Sequence, residues 1–274
     1  MRSHAVCVLA AAVVAASCSD GKLAAARPAA PAPELRYDGS TTISTKILPA
    51  LVPAFQERSG IKVRVERNGT GAGLQRLVAG EVDVAGVARS LAADELGRKP
   101  YFQIIGHDAL GVFVGEASPV KGLTRAQLKA VFTGAATSWK ALGGKDLPIR
   151  PCTEKLASKR ATLDALQSLA MDGAPYRAAV EREDPADCLA YVAATPGAIA
   201  VATVTYRIPG VRPIEIDGLE PTLPNVRASL YLLTRPLLLV SREAPHGALA
   251  QFFDYALSPD GQAVLANAGF VPAR

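Results

Sequence analysis

Ile61-Lys62-Val63-Arg64-Val65, then Gly69-Thr70-Gly71-Ala72-Gly73, then a short helical stretch at 74–79 and the run Val82-Asp83-Val84-Ala85-Gly86-Val87 together decide the fold class. The first segment alternates apolar and basic residues, the mark of a strand with one polar face. The glycine loop separates it from the helix, and 82–87 reads as the next strand. Upstream, Leu35-Arg36-Tyr37 leads through Gly39-Ser40-Thr41-Thr42 into a helical stretch with Ile43, Ile47, Leu48, Leu51 and Phe55 on one side. Pro49 and Pro53 predict a kink or a late start there, and Gly60 is placed as a terminator. Downstream, 101–105, 109–114, 149–152, 198–205 and 211–216 read as strands. So does 231–240, where Pro236 marks a bend or an edge. Thr124-Arg125-Ala126-Gln127 is a capping box opening a helix to about residue 132, and Ser258-Pro259 starts a final helix. Short strands alternating with helices give an α/β architecture. No internal repeat, heptad pattern or metal-ligand spacing is present.

The chain of 274 residues is long enough for two lobes. Its hydrophobic fraction of 49% with 20% charged residues is that of a globular protein. The net charge of +5 is scattered, without the basic stripe that nucleic-acid binding needs, and a mild positive field suits a small anion. Arg2 and His4 precede an apolar run at 5–16, with no acidic residue before Asp20. That run is too short to span a bilayer and right for a signal peptide. It ends in Ala15-Ala16-Ser17-Cys18, which resembles a lipobox with Cys18 as the acylated residue; ordinary signal cleavage nearby is the other reading. The expected organisation is a signal peptide at 1–17 and a lipid-anchored Ala/Pro linker at 18–34. The chain is then exported to the periplasmic or cell-surface face of a membrane. Beyond Cys7 and Cys18 only Cys152 and Cys188 remain, either a disulfide of an oxidising compartment or two separate buried thiols.

Two places share one physical design. Ser40-Thr41-Thr42 precedes one helix and Gly69-Thr70-Gly71 another. Helix N-termini carry unpaired N–H groups and a positive dipole end, hydroxyls add neutral donors, and glycine lets backbone approach closely. Each is also an ordinary N-cap or turn when taken alone. The glycine spacing is not Gly-x-Gly-x-x-Gly, and Asp83 comes too soon to be the ribose carboxylate of a dinucleotide site. His107 and His246 have no visible partners and no nucleophile motif accompanies them, so neither an enzyme, a cofactor nor a metal is expected.

Gly39-Ser40-Thr41-Thr42, the segment from Gly69 to Asp83, and Arg89-Ser90-Leu91 resemble the first lobe of the periplasmic phosphate-binding proteins of ABC importers. Leu123-Thr124-x-x-Gln127-Leu128-x-x-Val131-Phe132-x-Gly134 with Trp139-Lys140-x-Leu142-Gly143-Gly144 is similar to that family's most distinctive segment. Pro196-Gly197-Ala198-Ile199, Tyr231-Leu232-Leu233-x-Arg235-Pro236-Leu237, Ser258-Pro259-x-Gly261-Gln262 and Gly269-Phe270-Val271-Pro272 keep the same order. The resemblance implies a type II periplasmic-binding fold of two α/β lobes, 35–109 plus 234–274 and 110–233, with hinge crossings near Ala109 and Leu233. It implies a monomer that captures an inorganic oxyanion, phosphate first, and hands it to an ABC permease.

By the same resemblance the first-lobe contacts fall at Ser40, Thr41 and Thr70, with Thr42 and Gly71 beside them, and Arg89 is added. Arg89 either faces the anion or pairs with Asp83. The usual Ser-Arg pair reads Ala88-Arg89. In the second lobe the family's arginine is Thr153, and its Gly-Ser-Gly-Thr turn is Leu156-Ala157-Ser158-Lys159. Each lost contact to an ion is worth about 1.5–3 kcal/mol. Ser158 remains in that turn, and Arg150, Lys155, Lys159 and Arg160 are the candidates to compensate. The departures also leave open a sensing or interaction module that takes a different ligand or none.

Overall fold

The computed structural model describes Met1 and residues 33–158, 160–177 and 180–273. The expected signal segment after Met1, Cys18 and nearly all of the linker lie outside the described residues, as does Lys159. The body considered is Ala32–Arg274. It begins with β1 (Glu34–Gly39), α1 (Thr41–Lys46), α2 (Leu48–Ser59), β2 (Lys62–Val65), α3 (Thr70–Ala79), β3 (Val84–Val87) and α4 (Ala93–Gly97). A long strand, β4 (Tyr101–Gly115), leads to β5 (Gly122–Leu123), α5 (Arg125–Phe132), β6 (Arg150–Glu154), α6 (Ala161–Ala170), β7 (Val180–Arg182) and α7 (Pro185–Ala194). Then come β8 (Ala198–Thr203), β9 (Val211–Ile216), α8 (Leu223–Arg227), β10 (Thr234–Ser241), α9 (Gly247–Leu257), α10 (Pro259–Asn267) and β11 (Val271–Pro272). Among the described residues no helix is long and apolar enough to cross a membrane.

The main strand order is β2-β1-β3-β10-β4-β8-β6-β7. β1 runs parallel to β2 and β3, and β6 runs parallel to β7 and β8. Between these two parallel units β10 and β4 lie antiparallel, each also antiparallel to the outer neighbour it meets. The apolar side chains gather accordingly into two main cores. Ile43, Ile47, Leu48, Leu51 and Phe55 pack with Tyr37, Phe252 and Phe270 in the first. Leu128, Phe132, Trp139, Leu166, Ile199 and Ile214 fill the second. The pair β4/β10 passes from one to the other: Ile105 and Leu237 belong to the first core, Ala109 and Leu233 to the second. This is the two-lobed α/β fold that the sequence implied.

Several local expectations are met and several are corrected. α1 ends and α2 begins at Ile47, with Pro49 in the first turn of α2 where its missing N–H costs nothing, and Gly60 closes α2 in a left-handed conformation. The capping box at Thr124 and Gln127 forms in both directions. Strands 101–105 and 109–114 are one strand, because β10 supports its first half and β8 and β9 its second. α3 starts at Thr70 rather than at residue 74, so the glycine loop supplies its first turn. Gly73 makes this feasible: a Cβ there would lie 2.7 Å from the Asp38 carbonyl oxygen. Pro236 sits, as expected, beside a bend and on a locally one-sided stretch of β10. β3 pairs only with Leu238–Val240 of β10, and the ladder to β4 shifts register between Leu237 and Leu238, so the proline sits where β10 has a single strand neighbour. Cys152 on β6 and Cys188 on α7 form a disulfide, with Cα atoms 5.5 Å apart.

Candidate functional site

The first half of the site is assembled by a buried carboxylate. Asp38, fully buried in β1, accepts hydrogen bonds from the backbone N–H of Gly39 (2.8 Å) and of Asn68 (2.9 Å). The Asn68 amide (2.9 Å) and Arg76 Nη1 (2.8 Å) complete the set. Burial works to raise its pKa, but these donors outweigh it and hold the carboxyl below its ordinary value. The clamp ties the segment after β2 to the end of β1, and Gly69 N–H donates to Gly39 O at 2.9 Å. The starts of α1 and α3 are thereby brought side by side. Ser40 and Thr70 are buried there. Thr70 Oγ1 accepts from the Ala88 N–H at 3.3 Å, which leaves its hydroxyl proton to donate. Thr42 Oγ1 accepts from Arg235 Nη2 at 3.1 Å, with the same consequence.

Arg235 lies under the site, at the strand pair between the cores. It is almost completely buried. Its Nε and Nη2 approach Asp108 Oδ2 at 2.9 and 2.7 Å, and Asp108 in turn accepts from Thr203 Oγ1 at 2.6 Å. Nη1 reaches Thr162 Oγ1 of α6 at 3.3 Å. One guanidinium thus touches the first turn of a helix from each lobe, Thr42 of α1 and Thr162 of α6.

The second half is delivered by β6 and the start of α6. Thr153 and Glu154 are each 4% exposed. Thr153 Oγ1, Glu154 Oε2 and Arg160 Nε are buried without a hydrogen-bond partner among the described residues. Glu154 Oε1 stands 3.8 Å from Arg160 Nε. Burial pushes the Glu154 carboxyl up to about 7, against the pull of Arg160, Arg235 and Thr162. Arg160 is the N-cap of α6 and extends towards the first lobe: a Cβ placed on Gly69 would lie 3.4 Å from its Nη1. The positive ends of α3 and α6, the Thr70 hydroxyl and the Arg160 guanidinium therefore face a common region. That set of donors suits an anion.

The sequence-selected residues do not all meet. Ser40, Thr42, Thr70 and Arg160 lie about the starts of α1, α3 and α6, with Thr41 in the first turn of α1, while Gly71 lines a cavity beside α3. Ser158 stands apart, exposed in a 3-10 turn over Leu156–Ser158, its N–H bonded to Lys155 O. Arg89 lines the same cavity as Gly71, but its guanidinium is taken up by carboxylates. Its Nη1 and Nη2 grip Glu95 at 2.7 and 2.8 Å, and its Nε donates to Asp164 Oδ2 at 3.0 Å. It does not pair with Asp83, which is held by the Arg36 side chain at 2.7 Å and backbone N–H at 2.8 Å. Of the candidates to compensate for the lost second-lobe arginine, Lys155 is exposed and paired with Glu183, and Arg150 is exposed. Asp38, Asp108 and Arg235 were missed as site-builders. An acid or a guanidinium set in an otherwise apolar strand is itself a signal, since a buried charge demands partners.

The chain and its fold have known relatives. The chain is 26% identical over 244 residues to the phosphate-binding protein PstS of Bacillus subtilis, covering 87% of this chain and 80% of that protein. A putative phosphate ABC transporter substrate-binding protein from Clostridium perfringens, solved with bound phosphate, superposes with a TM-score of 0.80 at 25% identity, covering 88% of this chain and all of that one. An ABC-type phosphate transport receptor from Vibrio cholerae gives 0.77 at 23% identity over 87% of this chain and 99% of its own. The model of the PBP superfamily domain matches residues 24–260. With that match spanning most of its length, the chain belongs to the PBP superfamily.

Proposed function

We propose that this protein captures phosphate outside the cytoplasm and presents it to an ABC permease. The observation that carries the reading is the position of Arg160, a half-buried cation at the start of one lobe's helix set against the glycine loop at the start of the other's. It supplies from a new position the charge that Thr153 does not. Ser40, Thr41, Thr42, Thr70 and Gly71 form the first-lobe half of the grip. The hinge runs through β4 and β10 near Ala109 and Leu233, so that 35–109 plus 234–274 moves against 110–233. Only the closed form contacts the ion from both sides, and binding therefore favours closure. No bond is made or broken; the protein is a carrier and not an enzyme. It acts as a monomer, tethered to the membrane through acylated Cys18 and the following linker.

Calorimetric titration of the disulfide-intact protein, refolded to strip carried-over ligand, tests the reading. Saturable one-to-one binding of phosphate at micromolar affinity or tighter is expected, with sulfate, molybdate and a phosphate ester weaker and arsenate comparable. Absence of heat with every oxyanion overturns it in favour of a sensing or interaction module.

A further inference from the structure

Arg89 is the residue whose expected place and observed place differ most. It follows β3, in the first lobe, and Asp164 lies on α6, whose Ala165, Leu166 and Ala170 are part of the second core. The Arg89–Asp164 contact therefore spans the cleft. Glu95 fixes the guanidinium through both terminal nitrogens, Ser90 O accepts from Nη1 at 3.0 Å, and Nε alone is left to reach across. The Arg89 side chain is 12% exposed and that of Asp164 36%, so the pair is only partly screened by water. A second contact crosses elsewhere: Lys46 at the end of α1 places its Nζ 4.3 Å from the ring centroid of Tyr206, beyond β8. Neither contact uses an atom of a ligand.

We propose that Arg89 and Asp164 form a latch that holds the two lobes closed independently of ligand. The side chain that the sequence nominated to grip the ion grips the opposite lobe instead. Closure then draws part of its stability from the protein alone, and the bound ion is released slowly because the latch must break first. The inference requires the two-lobe fold but not the identity of the ligand.

Small-angle X-ray scattering of the ligand-free protein tests this, beside Asp164→Asn and Asp164→Glu. A partly exposed charge-assisted contact of this kind shifts the ratio of closed to open forms about fivefold. The wild type should scatter as the closed form, Asp164→Asn should show a larger radius of gyration, and Asp164→Glu should recover much of the compactness. Where phosphate binds, its dissociation rate from Asp164→Asn should rise by about the same factor. Equal radii for wild type and Asp164→Asn, whether both open or both closed, overturn the latch. The scattering comparison needs no phosphate, so its failure is distinct from a failure of the transport reading.

Discussion

Replacing Glu154 by Gln should stabilise the protein at pH 8 and do almost nothing at pH 4.5. The carboxyl is 4% exposed, with Oε2 unpartnered, and burial moves it from an ordinary 4.5 to about 7. That difference corresponds to about 3 kcal/mol of preference for the neutral form in the native state. The sign follows from proton counting. Between pH 4.5 and 7 the native state keeps a proton that the unfolded chain has released, so stability falls as pH rises and the full cost is present above pH 7. Glutamine has nearly the same shape and cannot ionise. Urea unfolding in phosphate-free buffer, with the Cys152–Cys188 bond intact, should give a gain of about 1–3 kcal/mol at pH 8. The lower figure allows for relaxation around the charged form and residual structure in the unfolded chain. Destabilisation at pH 8, or the same change at both pH values, would refute the reasoning: the ionised carboxylate would then be worth more to Arg160 and Arg235 than its burial costs.

Arg160→Met should weaken phosphate binding by one to two orders of magnitude, the value of about 1.5–3 kcal/mol for a charge-assisted contact, and Thr70→Ala by about tenfold; calorimetry checks both. Cys188→Ser opens a loop closed across a sequence separation of 36, and chain entropy sets the loss at up to about 4 kcal/mol, read as a lower urea midpoint for the variant than for the oxidised wild type. Gly73→Ala places a methyl 2.7 Å from the Asp38 carbonyl oxygen and from Gly39 Cα; the forced separation of α3 from β1 should cost about 1–3 kcal/mol, seen as a drop in Tm, and should weaken anion binding at the same time.

The fold was legible because its signals are local. Alternation at 61–65, the Thr124 capping box and the proline-bearing start of α10 each act within a few residues, and each element formed, although Val65 at the end of β2 is exposed. What escaped depends on partners distant in sequence. Nothing near Arg89 announces Asp164, 75 positions away, and Glu95 looks like any acid in the first turn of a helix. The start of α3 was misplaced because a glycine-rich stretch favours a loop by propensity, whereas contact with the Asp38–Gly39 backbone selects Gly73 for a helix turn. The strands read at 101–105 and 109–114 are continuous through His107 and Asp108. Asp108 stays in the strand because Arg235, 127 positions later, neutralises it. The retained hydroxyls at Ser40 and Thr70 were found by the logic of helix N-termini, while the reach of Arg160 towards Gly69 needed coordinates.

The central placement of β10 has a consequence for how the molecule is made. β10 is the strand between β3 and β4, yet it is among the last strands to leave a ribosome or an export channel. The second lobe's elements, from β5 to β9, emerge as one continuous block and can begin to collapse at once. The first lobe has β1, β2 and β3 early but lacks the neighbour that covers β3 until Leu238–Val240 arrive. In the interval β3 presents an open, wholly apolar edge, the kind of surface that misassembles and that folding factors of the export pathway shield. Long-range closure of this sort is slow, so the lobe carrying the Ser40 and Thr70 loops is completed last although it is synthesised first.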